Sequence, residues 1–207
     1  MKRFLCLVLL FVTLAASAQF RWAPVAGVTV DNLKFKQDIV PIKDAVAFEA
    51  GVMGELMFPG IGFGIDFGLM YNMMGAKMDL GTRKIWAADG FADGTQRVHT
   101  LQIPLHLRFK WTRMSGLEDY IAPFVYGGPE FGIVVGQSGF SNAEGQHPFR
   151  TSGGDLGLAV GGGFELWRNW QISVQYTWGM TYIVKAVKLD DFAGRNRQLA
   201  VRLAYMF

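Results

Sequence analysis

The sequence predicts an all-β protein, an eight-stranded antiparallel up-and-down transmembrane β-barrel with short periplasmic turns and long extracellular loops. Three observations predict it. Residues 197–207 put Leu199, Val201, Leu203, Tyr205 and Phe207 on one side of a strand and Gln198, Ala200, Arg202, Ala204 and Met206 on the other. Upstream, Trp170, Ile172, Val174, Tyr176, Trp178, Met180 and Tyr182 alternate in the same way with Gln171, Ser173, Gln175, Thr177, Gly179 and Thr181. An apolar face at period two, backed by a mixed one, fits a wall between lipid and a filled lumen. The third observation is that 51% of the chain is hydrophobic, yet no apolar run after residue 18 is long enough for a membrane helix. A crossing therefore has to be made by strands.

The elements follow in order. Met1, Lys2 and Arg3 precede an apolar run from Phe4 to Ala15 and the small residues Ala16, Ser17 and Ala18. This is the layout of a secretory signal peptide, so residues 1–18 are expected to be removed and residues 19–207 to form one barrel domain in the outer membrane of a Gram-negative bacterium. Cleavage takes away the only cysteine, Cys6, and leaves no disulfide. The formal charge of +3 also loses Lys2 and Arg3. No basic cluster with interleaved aromatics remains, which argues against nucleic acid as a partner. Glycine (26 residues) and aromatics (14%) are abundant, as suits a narrow lumen and a wall that meets two membrane interfaces.

Strands are expected at 22–33, 47–58, 61–75, 100–111, 120–136, 155–167, 170–182 and 197–207. The connections 59–60, 112–119 and 168–169 are short, whereas 34–46, 76–99, 137–154 and 183–196 are long and rich in Gly, Asp, Asn, Lys and Arg. Alternation assigns Phe48, Val52, Leu56 and Phe58 to lipid on the second strand, and Phe63, Ile65, Phe67, Leu69, Tyr71 and Met73 on the third. It assigns Leu101, Ile103, Leu105, Leu107, Phe109 and Trp111 on the fourth, and Leu156, Leu158, Val160, Phe164 and Leu166 on the sixth. Trp111 and Trp170 at the short-turn end, and Tyr71, Trp178 and Tyr182 at the other, sketch two aromatic girdles. Trp167 has the wrong parity for lipid and is placed to cap the lumen. In the fifth strand Phe124 and Tyr126 share one parity and Phe131, Ile133 and Val135 the other, which predicts a bulge at Gly127-Gly128-Pro129. The first strand is interrupted by Pro24 and offers only Val28 and Val30 as clear outward residues.

The inward positions carry Glu49, Glu55, Asp66, Gln102, His106, Arg108, Lys110, Glu130, Glu165, Gln171, Gln175 and Arg202. Enclosed charges must be paired and hydrogen-bonded, and eight strands leave a lumen that side chains just fill. The expectation is a salt-bridged plug, with Asp66, Arg108 and Arg202 in a middle layer and Glu55, Lys110 and Glu165 near the periplasmic mouth. The competing reading of the same charges is a narrow conduit, with His106 as a titrating group. Catalysis would need a fixed His–Ser or His–Asp pair at a rim, drawn from His147 with Ser138, Ser141 or Ser152, or from His99 with Asp89 or Asp93. No catalytic residue, metal ligand set or cofactor site is assigned, since the three histidines lack close ligand spacing. Trp86 and Phe91, in the longest loop, are candidate contacts for a protein partner.

The segments LQIPLHLRF (101–109), APFVYGGPEFG (122–132), LAVGGGFEL (158–166) and ISVQYTWGMTYI (172–183) resemble the PorT-like outer membrane β-barrel family of the Bacteroidetes, small barrels of the OmpA/OmpX type. The resemblance covers Gln19 to Phe207 and departs from the family's glycine-rich opening at Arg21, Trp22 and Pro24. It implies a non-enzymatic barrel without a catalytic set and a link to protein secretion in the name-giving member. Leu199, Val201, Leu203, Tyr205 and Phe207 also resemble the last-strand signal read by the outer-membrane assembly machinery, which would follow handling by periplasmic chaperones. Three functions remain open: a part in envelope structure, adhesion or a membrane or secretion complex; a small pore or transporter; and a lipid-modifying or proteolytic barrel. Outer-membrane lipid is a partner in each.

Overall fold

The computed structural model describes residues 19–35, 42–58, 60, 62–79, 94–139, 149–186 and 193–207. The strands are β1 (Gln19–Phe35), β2 (Ile42–Met57), β3 (Phe63–Met78), β4 (Gly94–Lys110), β5 (Ile121–Ser138), β6 (Phe149–Thr151), β7 (Gly154–Leu166), β8 (Trp170–Gly179), β9 (Val184–Ala186) and β10 (Ala193–Tyr205). Eight of them form the wall in the order β1-β2-β3-β4-β5-β7-β8-β10, every pair antiparallel, and β10 returns to β1 from Val25 opposite Ala204 to Phe35 opposite Gly194. A closed ladder leaves no open edge, the condition for placing a sheet in hydrocarbon. The two short strands extend the sheet from the long-loop end of β10, β9 pairing β10 at Ala193 and Gly194 and β6 pairing β9.

The wall shows the predicted alternation. Val28, Phe48, Val52, Phe67, Leu69, Leu105, Leu107, Val160, Val174 and Val201 are exposed on the outside. Met73 is the exception: it has outward parity but is buried, with the Arg97 guanidinium donating to its sulfur at 3.5 Å. At the short-turn end Trp22 stacks on Phe207 at 4.7 Å, and Tyr205 meets both Phe207 and Trp170 edge-on at 4.9 Å. At the other end Phe48 faces Tyr71 at 5.9 Å and Tyr176 meets Trp178 at 4.6 Å. Both girdles consist of aromatic pairs.

Strands run further towards the long-loop end than alternation alone predicts. The first connection shrinks from 34–46 to 36–41 and the second from 76–99 to 79–93, because Leu33, Phe35, Met78 and Val98 continue the ladder and bury inward-facing apolar groups. β1 also passes through Pro24, which is exposed and stands just outside the residues that pair with β10. A residue without an N–H is tolerated there.

Two local expectations are overturned. Trp167 does not cap the lumen. It is 64% exposed in the three-residue turn 167–169, in which it and Arg168 have φ of 48° and 64°, with the Asn169 N–H donating to the Leu166 carbonyl at 3.2 Å. Positive φ at both central residues turns the hairpin with the twist of its strands and carries both side chains outwards. The bulge at Gly127-Gly128-Pro129 is also absent: β5 pairs β7 in one unbroken register from Ile121–Leu166 to Ile133–Gly154. Phe124 and Tyr126 are instead lumen residues, 2% and 6% exposed, and the Arg108 guanidinium lies 4.2 Å from the Phe124 ring centroid. The irregularity of β5 lies higher, where the register against β4 shifts between His99–Gly136 and Thr100–Val134 and leaves Val135 as the extra residue.

The ten-residue turn between β4 and β5 holds a short 3-10 segment, Leu117–Asp119. Its backbone amides, those of Glu118 itself, Met114 and Gly116, hold the Glu118 carboxyl below its ordinary range.

Space for Tyr126 comes from the facing strand. A Cβ on Gly161 would stand 2.6 Å from the Tyr126 ring and 2.8 Å from the Val174 carbonyl oxygen. Gly161→Val is therefore expected to destabilise the barrel by about 1–3 kcal/mol, the usual cost of overpacking. Urea-unfolding midpoints of wild type and variant in the same lipid vesicles check this, and an unchanged midpoint refutes it.

Candidate functional site

The lumen is the candidate site, because every strand of the wall sends polar side chains into it. At the short-turn mouth Lys110 Nζ bridges Glu55 and Glu165 at 2.7 and 2.8 Å. Arg21 spans the same two carboxylates, 2.6 Å from each. Arg108 joins this layer through Glu55 at 2.9 Å and reaches the next through Asp66 at 2.7 Å, while the Gln171 amide donates to Glu55 and Glu165. All of these except Arg21, whose side chain is 26% exposed, are buried.

Arg202 does not share a layer with Asp66 and Arg108, as alternation had suggested. Its guanidinium donates through Nε and Nη2 to the two oxygens of Glu49, at 2.9 Å for Nη2, and through Nη1 to Gln175. Glu130 lies 3.8 Å away and accepts from Gln175 and Thr177. His106 Nε2 is 3.3 Å from Glu130 but outside hydrogen-bond geometry, and its ring stacks on Tyr126 at 5.2 Å. The physical reason for the separation is register. Arg202 stands opposite Gly27 on β1, and Gly27 in turn pairs Glu49 on β2, so the glycine leaves the guanidinium and carboxylate in direct reach.

Between the two charged layers lies a cavity of about 30 Å³ lined by Asp66, Arg108, Tyr126, Ser173 and Arg202, among others. Asp66 Oδ1, buried without a hydrogen-bond partner, borders it. The space is large enough for about one or two waters. Above Arg202 amides dominate the lumen: Asn72 donates to Gln102 and Gln198, and Gln198 donates to the Asp31 carboxyl at 2.7 Å. The outer end is apolar, filled by Leu33, Phe35, Met74, Met78, Val98, Phe149, Ile183 and Val184. The opposite end opens into a vestibule of about 370 Å³ lined by Arg21, Glu55, Lys110, Glu118, Glu165 and Arg168.

Sequence alternation places Glu49, Glu55, Asp66, His106, Arg108, Lys110, Glu130, Glu165 and Arg202 inside, and all nine are buried. It missed Arg21, Thr29, Asp31 and Asn72, although the odd parity of residues 21–31 carries the signal for three of them, and it set Gln198 on the face of Arg202 without assigning it to the network. Trp86, Phe91, His147, Ser141, Asp89 and Asp93 lie outside the described residues.

One His–Ser contact forms on the outer wall. His99 Nε2 is 3.0 Å from Ser138 Oγ, and the Tyr71 hydroxyl is 2.6 Å from Nδ1. The extra residue at Val135 turns Ser138 outwards, which simple alternation does not anticipate. A phenol at Nδ1 supplies no negative charge to hold an imidazolium, unlike the carboxylate of an acyl-transfer triad. The trio belongs to the outer girdle. Among the described residues no cluster of His, Cys, Asp or Glu is placed to hold a metal.

The pair Arg202–Glu49 gives a direct test. Removing one member of a buried pair strands the other, at about 3–5 kcal/mol. Arg202→Met is expected to lower barrel stability by that amount, and adding Glu49→Gln to recover most of it, as read from urea unfolding in lipid vesicles. Equal instability of the single and double variants would refute the coupling.

The architecture has counterparts among solved structures. OprG of Pseudomonas aeruginosa superposes with a TM-score of 0.57 at 14% identity, covering 92% of this chain and 97% of OprG. Ail of Yersinia pestis, solved with the heparin analogue sucrose octasulfate, gives 0.46 at 15% identity over 91% and 99%. Neisserial surface protein A gives 0.43 at 10% identity over 88% and 96%. No curated protein sequence matches the chain. Residues 4–207 match the family model described as the outer membrane protein beta-barrel domain, and the chain belongs to that family of outer-membrane proteins.

Proposed function

We propose that this barrel is non-enzymatic and non-conducting, and that it acts through its wall and outer loops in envelope structure, adhesion or a membrane or secretion complex. The observation that carries the reading is the two-point Arg202–Glu49 contact, with Arg108 tied to Asp66 and Glu55 below it. These guanidiniums, 3% and 5% exposed, occupy the lumen that a solute would have to cross. The apolar outer end adds a second barrier, because a dry constriction opposes an ion even where it is wide enough.

Within the family, the segments 101–109, 122–132, 158–166 and 172–183 support a PorT-like assignment. Leu199, Val201, Leu203 and Phe207 are exposed along one face of β10 and its end, as a strand read by the assembly machinery would be. Residues 1–18 would serve as the export signal that brings the chain there. Protein contacts are assigned to the outer loops, with Trp86 and Phe91 as candidate anchors.

Planar-bilayer recording tests the reading. Protein shown to be folded by heat-modifiable gel migration is expected to give no channels. Reproducible conductance that changes in Arg202→Ala would establish the pore reading instead and move the search to permeating solutes.

A further inference from the structure

Among the described residues, the outer surface of the barrel above its upper girdle carries cations that stand directly opposite one another. Strand register places Lys34 of β1 directly opposite Arg195 of β10, and Lys43 of β2 directly opposite Lys77 of β3. A third pair, Arg150 and Lys185, forms between β6 and β9. The flanking residues settle the direction of these side chains: Leu33, Phe35, Ala76, Met78 and Asn196 are buried in the lumen, so Lys34, Lys77 and Arg195 point outwards. Like charges directly opposite one another across an antiparallel pair are destabilising. Here the arrangement occurs three times, on neighbouring or adjoining strands.

Two further cations stand beneath these pairs at the level of the girdle. Arg197 is opposite Trp178, and Arg97 lies two residues above His99, which is bonded to Tyr71. Neutralisation among the described residues is slight. Asp79 lies 3.3 Å from Lys43, and Asp44, which accepts from the Asn32 amide, is a second carboxylate on this face. The Arg195 guanidinium rests 4.4 Å from the Tyr182 ring centroid, and its buried Nε has no hydrogen-bond acceptor. On the far side of the barrel the exposed residues at this height include Val135, Ser138 and Met180, which are uncharged.

We propose that this arc over β10, β1, β2, β3 and β4 binds the phosphate groups of outer-leaflet glycolipid. Side chains from directly opposite residues start about 5 Å apart, so two cations reach one phosphate, and arginine offers its oxygens a forked donor. The anion removes the repulsion between the opposed cations. The position selects lipid over a soluble anion. The arc is continuous with the apolar wall through Val30, Val46 and Phe48, which is where lipid headgroups stand, and it is a convex face with no enclosing loop among the described residues.

The test compares the folded protein with Lys34→Gln/Arg195→Gln in phosphatidylcholine vesicles, alone, with diphosphoryl lipid A, or with lipid A stripped of phosphate. Diphosphoryl lipid A is expected to raise the urea midpoint of the wild type, and phosphate-free lipid A to leave it unmoved. The double variant should lose at least half of that rise. In phosphatidylcholine alone it should unfold at the same urea concentration as wild type or a higher one, since the repulsion is gone. A rise of equal size in both proteins overturns the proposal. So does equal protection of the wild type by soluble tripolyphosphate, which would make the arc a site for soluble anions. Lys77→Gln provides the same comparison should the double variant fail to fold, and diphosphoryl lipid A retained by each protein after detergent extraction, counted by phosphorus, is an independent readout.

Discussion

Ring closure between β1 and β10 is the constraint from which the remaining structure follows. In hydrocarbon an unpaired backbone N–H or C=O has no water to turn to, so a spanning sheet must have no edge. Closing the ring with eight strands fixes its diameter, and that diameter leaves room for side chains and little else. The inward residues then have to fill the lumen and satisfy one another. Glycine enters for the same reason: Gly27 lets Arg202 and Glu49 meet across β1, and Gly161 admits the Tyr126 ring.

Neutralisation inside follows a definite plan. The guanidiniums of Arg21 and Arg108 and the Lys110 ammonium are each shared between two carboxylates, so the periplasmic layer is a network more than a set of pairs. Glu55 is its hub, in contact with all three cations. Arg202 and Glu49 form a more isolated two-point pair, braced by Gln175. Buried charge of this kind adds little net stability over well-packed apolar residues, but it penalises any arrangement that separates the partners. A strand slipped by one residue would send Glu49, Arg108 or Arg202 into lipid. The network thus defends register, which a smooth apolar wall sliding against lipid would not do.

Much of this was legible in the sequence because parity is a strong signal when one face meets hydrocarbon and the other a polar lumen. All eight wall strands and the nine charged or titratable lumen residues from Glu49 to Arg202 follow from alternation alone. What escaped has physical causes. Arg21, Thr29 and Asp31 sit on β1, where Pro24 obscures a pattern that in fact continues through it. Ser138 changes face at an extra residue that no local motif announces. Phe124 and Tyr126 look like lipid residues by composition, and only the guanidinium above them accounts for aromatic rings in a charged lumen. The apolar outer end was hidden because Phe35, Met78, Val98, Phe149, Ile183 and Val184 come from stretches that read as loops, and their burial depends on strands that extend above the membrane wall.

That outer end gives the molecule a polarity that its wall lacks. From the periplasmic side the lumen passes from a charged vestibule, through ion-pair layers and an amide layer, to a stopper of Leu, Phe, Met, Val and Ile side chains. On the outside the order is reversed in sense, since the apolar wall ends in aromatics and then in cations at the height where the lumen has become apolar. Charge inside therefore lies at membrane depth, shielded by its own partners, while charge outside lies beyond the hydrocarbon, where partners come from the surroundings. The lumen cations find their counter-charges within the barrel. An exterior that juxtaposes Lys34 with Arg195 and Lys43 with Lys77 carries more cations than anions among the described residues, whereas each cation of the lumen is paired with a carboxylate.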